Sequence, residues 1–510
     1  MEERKAAIEL KGITKHFGQI VANKDVNLTI YREEILSLLG ENGSGKTTLM
    51  NMLSGIYYPD EGEIFVNGKK ENIASPKDAF KLGIGMVHQH FKLVDVLTAT
   101  ENIVLGLEGK LNLKEAKVKI KAIQDRYGFD IDPDKKIYNM SVSEKQTVEI
   151  VKVLFRGVDI LILDEPTAVL TPQETEKLFK VMRNMKADGK SIVIITHKLN
   201  EVQEISDRVA ILRQGEFIGD LITKDTNAQE MTDMMVGHSV VLNIERPEPK
   251  DSRLRIKVDN LNIKNAEGID KIKNVSFDMF SGQILGVAGI SGCGQKELLE
   301  AMAGLQGIES GSVKYYDDEN KVTELIGMDP LKIRQLGVQL SFVPEDRLGM
   351  GLVGNMDISE NMMLRTFRDG KSIFTDRKKP RKTAENIVDV LQVKTPSLET
   401  PVRTLSGGNV QKVLVGREIS SEPKVLMTAY AVRGLDINSS YMIYDLVNEQ
   451  KKKGVAVMFV GEDLDVLLQI SDKIMVLCDG EVSGIVDART TTKNEVGMLM
   501  TTQKGQTSEN

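Results

Sequence analysis

The chain writes one long pattern twice, and each copy sets a glycine-rich loop between an apolar run and a helix-forming run. VNLTIYREEILSLLGENGSGKTTLMNMLSGIYYPDEGEI aligns with VSFDMFSGQILGVAGISGCGQKELLEAMAGLQGIESGSV, and ISDRVAILRQGE aligns with ISDKIMVLCDGE. Lys46 therefore falls opposite Gln295 and Asp207 opposite Asp472, so the second copy has gained residues between these anchors. Repeats this long specify two whole domains, not a solenoid of short units. In a chain of 510 residues, each half is long enough to bury a core of its own.

The pattern predicts a first domain at 6–243, a linker at 244–253, a second domain at 254–498 and a disordered tail at 499–510. Pro247 and Pro249 in IERPEPKDSR forbid a continuous helix at the seam and favour an extended linker. Within each half the order is strand, loop, helix. ILSLL enters the loop, and KTTLMNMLSG then places Leu49, Met52 and Leu53 on one helical face. DILIL (159–163) and SIVIIT (191–196) are short apolar runs of the kind buried on both faces in a parallel sheet. LNLKEAKVKIKAIQDRYG (111–128) is helical and belongs to a stretch inserted at roughly 90–160. Strands alternating with helices give an α/β class with a mainly parallel sheet.

The loop GENGSGKTT fits G-x-x-x-x-G-K-S/T in the required context, strand before and helix after. Gly40, Glu41, Asn42, Gly43, Ser44, Gly45, Lys46, Thr47 and Thr48 are the candidate phosphate-binding residues. Glycines let backbone N–H groups turn inward onto phosphate oxygens, and the helix start adds its positive dipole end. Lys46 supplies a charge to the β- and γ-phosphates, and Thr47 a hydroxyl to Mg²⁺. A turn with an exposed lysine is the bland alternative. Asp164 ends an apolar strand and suits Mg²⁺; Glu165 follows and can polarise an attacking water. His197 stands after SIVIIT, where a γ-phosphate sensor is needed, although a lone histidine after a strand is more often structural. Gln89, in MVHQHF, can reach the metal and the attacking water; His88 and His90 beside it read as packing or surface groups. Phe17 can stack on a base, or be an edge aromatic of the core.

Composition narrows the setting. A net charge of −7 does not favour non-specific binding to nucleic acid. Two cysteines, Cys293 and Cys478, cannot build a disulfide framework and have no metal-site spacing. MEERKAAIEL has no signal-peptide core, and no apolar run approaches the ~20 residues that span a bilayer. Any membrane role is therefore expected to be peripheral.

Taken together, Phe17, the Lys46 loop, Gln89, the Asp164–Glu165 pair, His197 and LSGGN (405–409) resemble the ATP-binding cassette (ABC) ATPases over residues 6–498. The resemblance implies two tandem ABC-type P-loop NTPase domains, each a mainly parallel sheet core with an antiparallel β edge and an inserted helical subdomain. It implies ATP and Mg²⁺ as cofactors. Thr47, Gln89 and Asp164 would face the metal, and Lys46, Gln89, Glu165 and His197 would serve catalysis. Two cassettes of this family are expected to pair head to tail, so Ser406, Gly407 and Gly408 would complete the site built on Lys46. The opposite site would inherit Gln295, Lys296, Ala429, Tyr430, Glu462, Glu345 and Ala266 in place of the functional residues, with SVSEK (141–145) as its signature.

Tandem cassettes with VPEDR (343–347) look like the ATPase subunit of importers for simple sugars and nucleosides, and 87–106 looks most like the nucleoside branch. Sugars such as ribose or galactose are the runner-up cargo. The implied partners are two integral-membrane permeases and an extracytoplasmic substrate-binding protein or lipoprotein, with no nucleic acid. The implied location is the cytoplasmic face of the cell membrane. A tandem cassette acting on ribosomes or DNA, and a nucleotide sensor without transport, are the competing classes.

Overall fold

The computed structural model describes residues 5–501 apart from 90, 108–111, 169, 239–242, 266, 291, 343–347, 349–350, 368–374, 421–422 and 434. Ala266, Glu345, His90, VPEDR and residues 502–510 thus lie outside the described residues. The chain divides into two units, Met1–Val241 and Leu242–Asn510.

The first unit runs β1 (Ala6–Phe17), β2 (Ile20–Tyr31), β3 (Ile35–Leu39), α1 (Lys46–Leu53), β4 (Glu61–Val66), β5 (Lys69–Glu71), α2 (Pro76–Lys81) and β6 (Ile84–Val87). It continues through α3 (Ala99–Val104), α4 (Leu113–Tyr127), α5 (Val142–Phe155), β7 (Ile160–Asp164), α6 (Pro172–Ala187) and β8 (Ser191–Ile195). It closes with α7 (Leu199–Ile205), β9 (Arg208–Arg213), β10 (Glu216–Ile222) and α8 (Ala228–Val236).

Six strands form one sheet in the order β10-β9-β3-β8-β7-β6, parallel except for β10. An antiparallel sheet, β2-β1-β4-β5, accompanies it. All five residues of β3, β7 and β8 are buried, because both faces of the parallel sheet are covered. Side-chain alternation assigns the faces. Leu36, Leu38, Ile162, Val193 and Ile195 pack with Leu49, Leu53 and the antiparallel sheet. Ile35, Leu161, Leu163, Ile192 and Ile194 pack with Phe179, Met182 and Met185 of α6. The inserted piece closes its own small core around Ile103, Ile120, Val148 and Phe155. Its α4 starts at Asn112, whose side chain accepts from Lys114 N and Glu115 N, and stops at left-handed Gly128 (φ 87°).

In the second unit Val338–Phe342, Val425–Ala429, Ala456–Val460, Ile284–Gly289, Lys473–Cys478 and Glu481–Asp487 lie side by side in that order. This matches β6, β7, β8, β3, β9 and β10 strand for strand. The seam is not a free spacer. Ile244 is buried in the second unit's core, Asn448 Nδ2 donates to Glu245 O at 2.5 Å, and Arg246 Nη1 donates to Leu468 O and Ser471 O at 2.9 Å. The start of the expected tail is also ordered: a helix ends at Leu499, and Met500 is buried. Both residues are apolar, and the core of the second unit claims them where a polar segment would fray.

Candidate functional site

β3 ends at Leu39 in the middle of its sheet, and the chain folds back on itself before α1 begins at Lys46. Two glycines make that return possible. A Cβ on Gly40 would lie 2.3 Å from both Leu212 O and Ser44 Oγ, and one on Gly45 (φ 93°) would lie 2.3 Å from Ala22 O. Asn23 Nδ2 donates to Gly45 O at 3.3 Å, and Gly215 N donates to Ser44 O at 3.2 Å, so two distant segments hold the loop. A Cβ on Gly43 would meet nothing within 4 Å. Among the described residues, Ser44 Oγ is buried with no hydrogen-bond partner.

Lys46 Nζ donates to Gly40 O at 2.7 Å and to Glu41 O at 2.9 Å, which seats the ammonium in the mouth of the loop. Burial lowers its pKa, against the opposing pull of Glu165, Asp164 and Glu41. Thr47 and Asn42 are exposed, while Glu41, Gly45 and Thr48 are half-buried.

The acidic pair sits at the C-terminal edge of the same sheet. Asp164 pairs laterally with Ile195 across β7 and β8, and Leu38 of β3 pairs with Ile195 on the other side. The Thr47 hydroxyl stands beside the Asp164 carboxylate and pulls its pKa down. Burial, with repulsion from Glu165 second, raises the Asp164 pKa to about 6. Glu165 holds a left-handed backbone (φ 50°) and donates its N–H to Ile195 O at 2.9 Å. A non-glycine residue there stores about 1–3 kcal/mol of strain, which is retained where geometry matters. His197 Nδ1 lies 2.9 Å from Glu165 Oε1. Lys46, Thr47, Asp164, Glu165 and His197 therefore converge on one edge, at the strand ends where α/β sheets bind ligands.

Gln89 is exposed in a bend just after β6, the neighbour of β7. Phe17 is exposed at the end of β1, opposite Ile20, and meets Tyr57 edge-on with ring centroids 5.1 Å apart. Tyr57 and Asn23 were not legible as site residues. Asn23 carries no motif, and only the β2 hairpin brings it to Gly45.

In the second unit a neutral amide takes the place of the ammonium against the equivalent loop carbonyl. Gln295 Nε2 donates to Ile290 O at 3.1 Å, and Lys296 Nζ lies 3.7 Å from Glu300 Oε1. Ala429 ends the strand equivalent to β7, and Tyr430 takes the left-handed position (φ 57°). Glu462 lies 3.8 Å from Arg433. No carboxylate replaces Asp164 or Glu165. Ser406 precedes the helix Gly407–Ile419 without capping it; its hydroxyl accepts from Asn409 Nδ2 at 2.8 Å. Ser406 and Gly407 are exposed and Gly408 is half-buried. The first unit differs at the same place. Ser141 and Glu144 form a reciprocal capping box at the start of α5, and Lys135 Nζ donates to Glu144 at 2.7 Å. That helix start already holds a carboxylate.

A glycine-rich loop between a strand and a helix and an inserted helical piece, repeated in two α/β units, with an acidic strand end in the first, define a nucleotide-binding cassette protein. The family profile described as "ABC transporter" matches residues 23–168 and 272–428, and the chain belongs to that family. It is 44% identical over 502 residues to the nucleoside import ATP-binding protein NupA of Lactococcus lactis, covering 97% of each chain. It is 41% identical over 506 residues to the guanosine import ATP-binding protein NupO of Bacillus subtilis, covering 98% of each. Among solved structures, the archaeal ribosome recycling factor aABCE1 in complex with ribosomal stalk protein aP1 matches with a TM-score of 0.59. That match covers 91% of this chain and 87% of the other at 16% identity, a likeness of fold alone. No helix among the described residues is long and apolar enough to cross a membrane.

Proposed function

We propose that this chain is the ATP-hydrolysing, energy-coupling subunit of a nucleoside importer. The observation that carries the cargo class is the 44% identity to a nucleoside import ATP-binding protein along almost the whole of both chains. The partners are two integral-membrane permeases and an external substrate-binding protein, with this chain held by the permeases at the inner face of the membrane.

The donor set of the first unit fits a nucleotide phosphate chain with a divalent cation. Among the described residues Ser44 offers a buried hydroxyl without a partner, the loop is open beside Gly43, and the buried Asp164 carboxylate ends the neighbouring part of the sheet. Thr47, Asp164 and Gln89 would hold Mg²⁺, which supplies charge neutralisation on the phosphates when bound. Lys46 would exchange two loop carbonyls for phosphate oxygens, gaining charge-assisted bonds. Phe17 would stack on the base. Glu165 would orient the attacking water and take its proton, with His197 holding the carboxylate in place. Ser406, Gly407 and Gly408, a glycine-rich helix start without a carboxylate, would accept phosphate. The second loop lacks these groups, so one competent chamber serves the whole chain.

Reconstitution tests the reading. The chain with its permeases in proteoliposomes should show ATPase activity stimulated by the receptor loaded with guanosine or another nucleoside. Stimulation by ribose or galactose alone would move the cargo to sugars. Salt-dependent binding to RNA with no permease association would replace the importer reading altogether.

A further inference from the structure

Thr167, Lys198 and Glu201 form a polar cluster directly behind the Glu165–His197 contact. The Thr167 hydroxyl donates to Glu201 Oε2 at 2.5 Å. Lys198 Nζ donates to Glu201 Oε1 and to Thr167 O, both at 3.0 Å. Thr167 is 2% exposed and Glu201 9%. Thr167 follows Glu165 by two residues, and Lys198 adjoins His197. The cluster therefore ties together the segments that leave β7 and β8, where the two functional side chains meet.

The second unit supplies an internal control. The register that pairs Asp207 with Asp472 sets Val432, Asp463 and Val466 opposite Thr167, Lys198 and Glu201. All three polar partners are replaced together, and Val432 and Val466 pack against the core instead. Yet the turn is the same. Ala168 N donates to Glu165 O at 3.3 Å, and Arg433 N to Tyr430 O at 3.1 Å; Leu170 N donates to Thr167 O at 3.3 Å, and Leu435 N to Val432 O at 3.0 Å. The backbone thus forms this turn without the cluster, and the fold does not demand it.

The cluster also breaks a local rule. Asp463 caps the following helix by accepting from Asp465 N and Val466 N. Lys198 stands at the same N-cap of α7 and makes no side-chain cap. A cation at the positive end of a helix, in a position that favours an acceptor, is the wrong residue for stability. Such conflicts mark sites kept for function.

We propose that Thr167, Lys198 and Glu201 are positioning residues for hydrolysis, clamping the Glu165 segment to the His197 segment. The proposal rests on the reading of Glu165 and His197 as the hydrolytic pair. The full chain carrying Thr167→Val, Lys198→Asp and Glu201→Val, the second unit's own set, is the decisive variant. It should keep its melting temperature, since Asp at 198 restores a cap, and its affinity for a fluorescent ATP analogue, since the Lys46 loop is untouched. Its kcat should fall between about ten- and a hundred-fold, the loss expected when reacting groups are misplaced. Thr167→Val alone should lower kcat, and Thr167→Ser, which keeps the hydroxyl, should restore most of the rate. A triple variant that turns over like the wild type while Glu165→Gln is inactive would overturn the proposal. So would parallel losses of melting temperature and kcat, which mark a purely structural cluster. Full turnover by Glu165→Gln would instead strike the hydrolytic pair itself.

Discussion

His197 Nδ1 lies 2.9 Å from Glu165 Oε1, across the ends of two neighbouring parallel strands. The contact restrains a carboxylate whose backbone is already held left-handed. Its removal should harm turnover far more than nucleotide binding. His197→Ala should lower kcat by about 10²–10⁴, the range for a lost acid–base contribution, with the Kd for ATP changed little. Single-turnover phosphate release and a fluorescent-nucleotide titration measure the two effects separately.

Lys46 already makes two hydrogen bonds to loop carbonyls, so its ammonium stands at the proposed phosphate site. Lys46→Ala should weaken ATP binding about ten- to a hundred-fold, the worth of charge-assisted bonds lost from one partner. Isothermal titration with ATP and with AMP checks this: the loss should be large for ATP and small for AMP, which lacks the β- and γ-phosphates.

Asp164 gives the nucleotide-free protein a pH dependence. Its pKa is raised to about 6 by burial and by Glu165, above the ordinary 3.8, so the folded state binds this proton more tightly than the unfolded state. The group costs nothing at pH 3, and stability is lost as pH rises from about 4 to about 6. Asp164→Asn, which keeps an acceptor for Thr47, should therefore raise the melting temperature by several degrees at pH 8 and hardly at all at pH 4. Differential scanning fluorimetry without nucleotide reads both values.

The second loop should not be rescued by one residue. Gln295→Lys restores a charge, but Ala429 and Tyr430 stand at the carboxylate positions and Lys296 at the hydroxyl position. The variant should show no gain in steady ATPase rate. A doubling would mean that the second loop needs only its lysine.

Much of this is legible in the sequence. ILSLL, DILIL and SIVIIT are apolar at most steps, as strands of a sheet covered on both faces are, and the loop after ILSLL carries its own chemistry. Asp164 and Glu165 gained meaning from that loop upstream. Three kinds of feature were not readable. Asn23 and Tyr57 reach the site through the β1–β2 hairpin and an aromatic contact, neither of which leaves a motif. The left-handed backbone at Glu165 is imposed by the turn and is not signalled by glutamate. Ile244 and Met500 lie in segments read as linker and tail because polar neighbours and prolines dominate there, although single apolar anchors tie both to the core.

The central claim is that one chamber, built on the first unit's loop and on Glu165, carries all the hydrolysis. Steady-state phosphate release from the full-length Glu165→Gln chain, at saturating ATP and Mg²⁺, tests it most directly. The account predicts a fall of at least about a hundredfold, with ATP still bound. Turnover near half that of the wild type would place real catalysis in the second loop and contradict it.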